Sequence, residues 1–137
     1  MRYVLDTTAF SAAMRQDLEL FTLMRRYRPG DIATVPPVVA EIAYGIQRLD
    51  SSSKKCQLLM SERERLLSVI SVLPWTPEAS GHFGRIKADL ERRGERIDDF
   101  DIAIAAIAFA HDSGVITANL SHFSRIKKLN CRSWESS

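Results

Sequence analysis

Cysteine is scarce in this 137-residue chain. There are two, Cys56 and Cys131, in no CxxC pattern and with no histidine at zinc-finger spacing. That excludes a disulfide-stapled scaffold and a thiolate zinc centre, and both thiols read as free groups in a reducing compartment. Histidine is nearly as sparse: His82, His111 and His122 stand at no metal-ligand spacing and read as surface or helix residues. Long apolar runs are missing too. The longest, Ile102 to Ala110, is about half of a bilayer span, so no membrane association is expected. The opening "MRYVLDTTAF" puts Asp6 where a secretory signal would carry its apolar stretch, and a cytoplasmic location is expected. Neither sign of charge dominates. Nineteen Lys and Arg face 17 Asp and Glu, a net +2, without the stripe of a dedicated nucleic-acid binder. With no repeat, low-complexity tract or long linker, and 45% apolar residues, residues 1–137 read as one domain that buries its own core.

What the chain does have is an alternation of short apolar strands and longer helices. "RYVL" (2–5) reads as a buried strand and "IATV" (32–35) as a second. "VLPW" (72–75), "VITAN" (115–119) and "NCRSW" (130–134) supply three more candidates. Helical spacing appears over 17–28, 36–49, 54–72, 76–94 and 99–113, with a short helix around His122 to Ile126. In the 54–72 helix, Leu59, Met60, Leu66, Leu67 and Ile70 read as inward. Gly114 stands at the stop position of the 99–113 helix. This order predicts an α/β/α sandwich in three layers, with a central parallel sheet of about four to five short strands. Ligands of such sheets sit outside the carboxyl ends of the strands.

Polar residues collect at those ends. Asp6, Thr7 and Thr8 follow the first strand, and Thr117 and Asn119 end the strand "VIT". Glu41 is the one charge between Asp31 and Arg48, set among Val38, Val39, Ile42 and Ala43. A carboxylate among such neighbours needs a cation or several donors. "DDFDIAIAAIAFA" (98–110) places three acids before an apolar helix. Asp98 or Asp99 suits a helix cap or first-turn acid. Asp101 lies further inside, and Asp99 suits either role. Asp6 would also serve as a cap, and Glu41 could lie on an exposed edge. As a set these are oxygen donors, which suit Mg²⁺ or Mn²⁺ rather than zinc, and such an ion would assist phosphodiester hydrolysis.

Four segments in order resemble the PIN-domain proteins, and among them the VapC toxins of bacterial toxin–antitoxin pairs. They are "YVLDTTAF", "VPPVVAEIAYGI" with its E–x–x–x–G, "RIDDFDIAIAA" and "GVITANLSHFSRI", with Trp134 near the end. The resemblance implies a Mg²⁺- or Mn²⁺-dependent endoribonuclease, a homodimer or larger toxin–antitoxin assembly, and inhibition by a small VapB-type antitoxin through which alone operator DNA would be met. It implies catalytic roles for Asp6, Glu41, Asp101 and Asn119, metal contact by Asp6 and Asp101, and support from Thr7, Thr8, Asp99 and Thr117. Two positions depart from the pattern. Many relatives carry Asp where Asn119 stands and Asn or Ser where Thr8 stands. Asn119 offers a carbonyl oxygen without charge, which favours one metal over two.

Other α/β phosphate enzymes fit less well. A haloacid-dehalogenase phosphatase would want an Asp where Thr8 stands, and a receiver domain a Lys near "VITAN". A PIN fold without chemistry, acting only by binding, is the remaining alternative. RNA would be held at its phosphates by the basic cluster Arg85, Lys87, Arg92, Arg93 and Arg96 and by "RIKK" (125–128), with Arg85, Lys87, Arg125 and Lys127 as the chosen candidates, although acids interleaved at 89, 91 and 95 suit a solvated helix face equally well. Transfer RNA is the family-level expectation for the substrate. Phe21, Met24 and Met60, on the helices 17–28 and 54–72, would line a groove for an amphipathic antitoxin segment.

Overall fold

Five strands form one wholly parallel sheet in the computed structural model, which describes residues 2–135. They are β1 (Arg2–Leu5), β2 (Ile32–Thr34), β3 (Ser71–Val72), β4 (Ser113–Ile116) and β5 (Cys131–Arg132). Their spatial order is β3-β2-β1-β4-β5, which puts β1 at the centre. From β1 the chain builds outward through β2 to β3, then crosses to the other side for β4 and β5. The order therefore reverses between β1 and β4, where Leu5 pairs with Ile116. β2 and β4 are buried throughout and β1 in all but Arg2, as expected of a parallel sheet covered on both faces.

The helices are α1 (Thr7–Met14), α2 (Leu18–Met24), α3 (Pro36–Gln47), α4 (Lys54–Leu67), α5 (Pro77–Arg92), α6 (Asp99–Ala110) and α7 (Leu120–Phe123). Side chains start several of them: Asp6, Asp17, Ser53, Thr76 and Asp98 each accept from a backbone N–H in the first turn. Such caps contribute about 1 kcal/mol apiece. α3 starts instead on Pro36 and Pro37, whose fixed φ suits a first turn. Every residue of α6 from Ile102 to Ala108 is buried, which accounts for the absence of polar side chains there. α5 packs along α6, and α3 contacts both α1 and α6. One continuous core joins the sheet to these helices, and no helix among the described residues is long and apolar enough to cross a membrane.

Several boundaries differ from expectation. α1 occupies "TTAFSAAM", a stretch without helical spacing in the sequence. The helix expected over 17–28 ends at Met24. β3 starts one residue early and stops before Pro74, which has no N–H for a ladder. In α4, Leu66 is buried, whereas Met60 is 40% exposed. Gly114 does not stop α6. The helix closes at His111, and Asp112 takes the left-handed turn (φ 50).

Gly114 lies within β4 for a different reason. A Cβ there would come 2.6 Å from Cε1 of Tyr3 and 2.7 Å from the Asn130 carbonyl oxygen. Gly114→Ala should therefore destabilise the protein by about 1–3 kcal/mol, seen as a lower urea midpoint at unchanged m value. A variant as stable as wild type would contradict this close approach.

Candidate functional site

The reversal of strand order between β1 and β4 sets the site. Asp6 follows β1, and its N–H donates to the Ile116 carbonyl (3.1 Å), so the ladder runs past the last strand residue. Thr117 follows β4 and donates its own N–H to the Arg132 carbonyl (2.9 Å). The two side chains meet: Thr117 Oγ1 donates to Asp6 Oδ2 at 2.5 Å. Asp6 Oδ1 accepts from Thr8 Oγ1 (2.6 Å) and from the Ala9 N–H (2.9 Å). The last bond is the helix cap, so Asp6 starts α1 and occupies the cleft at once.

Both threonine oxygens also accept a backbone N–H: Ala118 to Thr8 at 2.9 Å and Asn119 to Thr117 at 2.8 Å. A hydroxyl that accepts from the backbone has its hydrogen free for the carboxylate. Asp6, only 1% exposed, is thus held by three donors fixed to the backbone. Thr7 points elsewhere and donates to Glu41 Oε1 at 2.5 Å, tying α1 to α3. Glu41 is half-buried, not on an exposed edge.

Asp101 enters from the first turn of α6 and is half-buried. Its Oδ2 lies 3.1 Å from Nδ1 of His122 on α7. Asp98 is the cap of α6, accepting from the Phe100 N–H at 2.7 Å. Asp99 stays outside: its carboxylate is 62% exposed and pairs with Lys87 at 3.1 Å. Asn119 joins through its backbone, and its side chain makes no hydrogen bond among the described residues.

Burial pushes the Asp6 carboxyl above its ordinary value of 3.8, against the downward pull of Thr117, Thr8 and Ala9, and the nearby Asp101 pushes the same way. Burial also raises Asp101. His122 opposes that shift, while Asp98 and Glu41 reinforce it. No Lys or Arg contacts Asp6, Glu41 or Asp101 among the described residues. The cleft thus concentrates negative charge with no Lys or Arg against it, and His122 is the one ring that reaches it.

That donor set suits a hard divalent cation, since it offers carboxylate, hydroxyl and amide oxygens. The carboxylates are not drawn together into a closed cage. Among the described residues no three His, Cys, Asp or Glu side chains converge closely enough to hold an ion by themselves. A cation that keeps several waters needs only one or two carboxylates, and the free Oδ1 of Asp101 and Oε2 of Glu41 leave such positions open.

The candidate RNA contacts do not form one patch. Arg85 and Lys87 lie on different faces of α5. Arg85 stacks over Phe109, and Lys87 pairs with Asp99. Arg125 donates to the Arg96 carbonyl. Arg85 and Lys127 line a groove of about 290 Å³ together with Arg92, Lys128 and Asp89. Arg92 and Lys128 in this groove belong to the two basic segments legible in the sequence; His122 is the residue that sequence reasoning missed. No spacing signal marks His122; its partner is 21 residues away.

Fold and cleft together define an α/β protein that gathers carboxylates where the order of a parallel sheet reverses. Residues 3–129 match the PIN domain. Ribonuclease VapC2 of Haemophilus influenzae is 29% identical over 135 residues, covering 98% of each chain. Ribonuclease VapC1 of Rickettsia felis is 31% identical over 94 residues, 69% of each. The crystal structure of VapBC2 from Rickettsia felis, bound to a DNA fragment from their promoter, superposes with a TM-score of 0.88 at 26% identity. It covers 98% of this chain and 100% of that one. The chain belongs to the PIN-domain family, within its VapC group.

The raised carboxyls fix a pH dependence. Between 3.8 and their folded values the folded protein binds more protons than the unfolded chain, so stability falls as pH rises through that window. Asp101→Asn removes one charge and keeps the shape. The melting temperature of the metal-free variant minus that of wild type should be near zero below pH 3.8 and grow positive toward neutral pH. Thermal melts across the range decide it; a difference that reverses on raising pH would make Asp101 a structural cap.

Proposed function

We propose that this chain is a divalent-metal-dependent endoribonuclease, the toxin of a VapBC-type pair, acting in the cytoplasm and restrained by a VapB-type antitoxin. The observation that carries this reading is the uncompensated carboxylate cluster at the sheet's switch point, in a chain whose relatives are VapC ribonucleases. The functional unit is the single domain, residues 1–137, and it works as a homodimer.

Asp6 and Asp101 would hold Mg²⁺ or Mn²⁺. When bound, such an ion supplies charge neutralisation at the phosphodiester and a more acidic water. The chain's own residues do the rest. Thr8 and Thr117 keep the Asp6 oxygens from turning toward the core. Glu41, with Oε1 held by Thr7, presents Oε2 to accept a proton from the attacking water. Asn119 and Asp101 border the place of the scissile phosphate. RNA phosphates along the flanking strand are held by Arg85 and Lys127 with their groove neighbours Arg92 and Lys128, while Lys87, through Asp99, buttresses the start of α6.

The antitoxin's place is a second surface. Phe21, Met24, Tyr27, Ile32, Val69 and Ile70 line a groove of about 440 Å³ beside α2. An amphipathic segment would lay its apolar face there. Met60 is not among these residues; it contacts Cys56 within α4.

Purified protein should cleave RNA with Mg²⁺ or Mn²⁺ and not in excess EDTA. Glu41→Gln should slow cleavage by about a hundredfold or more. Cleavage that persists in EDTA would exclude the metal mechanism. In cells, expression of the chain alone should arrest growth, and co-expression with an adjacent small reading frame should relieve the arrest and yield a stable complex. Met24→Asp should break that complex and leave RNA cleavage intact. A chain that is harmless alone and binds no adjacent product would contradict the toxin assignment.

A further inference from the structure

The two metal-facing carboxylates are held very differently. Asp6 accepts three hydrogen bonds. Asp101 accepts one, from His122, and no other donor reaches its carboxylate among the described residues. Its orientation in the cleft therefore depends on that imidazole. An ionised carboxylate can only accept, so Nδ1 carries the hydrogen in this contact and Nε2 does not compete for Asp101.

His122 is itself well placed to serve. It sits on α7, whose first turn is anchored to the site: Asn119 donates its N–H to Thr117 Oγ1, and its carbonyl accepts the His122 N–H at 3.0 Å. The following residue, Phe123, is fully buried and fixes the other end. Thr117 is also the residue that holds Asp6 Oδ2. One short segment, 117–123, thereby orients a carboxylate from β1 directly and a carboxylate from α6 through His122.

We infer that His122 is a positioning residue for the metal site: it holds Oδ2 of Asp101 and leaves Oδ1 free for the cation. This rests on the divalent-metal reading above. Outer hydrogen-bond partners of ligating side chains typically govern affinity by about ten- to a hundredfold.

Titration calorimetry of the full-length, metal-free protein with Mn²⁺ tests it. His122→Ala should weaken Mn²⁺ binding by about ten- to a hundredfold. His122→Asn, whose amide nitrogen falls where Nδ1 lies, should recover most of that loss, and His122→Gln, which reaches instead to the Nε2 position, should not. In an Asp101→Asn background His122→Ala should add little, because the two act as a unit. The imidazole is 41% exposed, and thermal melts establish that each variant is folded. The inference is overturned if folded His122→Ala binds Mn²⁺ as wild type does, or if His122→Asn is as impaired as His122→Ala. Wild type that binds no Mn²⁺ would overturn the divalent reading itself, and the inference with it.

Discussion

The hydrogen bond from Thr117 to Asp6 is the contact on which the cleft depends. It spans 111 residues of sequence and exists because β1 and β4 are neighbours in register, Leu5 against Ile116. Parallel strands in that register deliver their next residues side by side at the carboxyl edge. Reversal of the strand order at this pair keeps the crossover connections from covering the gap between them. Asp6 can then be buried while remaining in the wall of a cleft, and Asp101, Glu41 and His122 are brought to it by the helices that border the gap.

This arrangement sets stability against chemistry. Asp6 is almost wholly desolvated and has another carboxylate nearby. Three hydrogen bonds offset part of that penalty and leave the carboxyl raised. The neighbouring core compensates elsewhere: α6 buries an uninterrupted apolar run directly behind Asp101, and the caps at Asp98 and Thr76 fix the ends of the paired helices. Charge buried at a cost and supported by its surroundings is the ordinary form of a stability–function trade-off. The geometry also explains two adjacent threonines with separate duties. Thr7 faces Glu41 on α3 and Thr8 faces Asp6 and Ala118, as consecutive positions at a helix start point in different directions.

Much of this was legible in the sequence where local pattern and tertiary role coincide. Short β-rich runs mark β1, β2 and β4, and the strand ends then name Asp6 and Thr117. Glu41 stands out because its neighbours are apolar, and Asp101 because α6 has no polar face. The PIN resemblance ties the four segments together. The remainder depends on distance in space. α1, "TTAFSAAM", mixes Thr and Ser with alanines and two larger apolar residues in no regular order, and carries no stripe to reveal a helix. β3 and β5 are two residues each, too short for any period. Asp98 and Asp99 differ by one position, and only the turn of the chain makes the first a cap and the second the exposed partner of Lys87. Arg85 and Lys87 look like one cluster in sequence, but a helix separates residues two apart by roughly 200°. His122 is invisible for the same reason: only the packing of α7 against α6 turns its ring to Asp101.

The central claim is that the buried carboxylates between β1 and β4 are arranged for a divalent cation. A crystal structure of the protein grown with Mn²⁺, with anomalous data collected at the manganese edge, addresses it most directly. The account predicts one anomalous peak in the cleft, at about 2.0–2.3 Å from oxygens of Asp6 or Asp101, with water completing the shell. A cleft without a peak at saturating Mn²⁺, or a peak bound only to residues elsewhere on the surface, would contradict it.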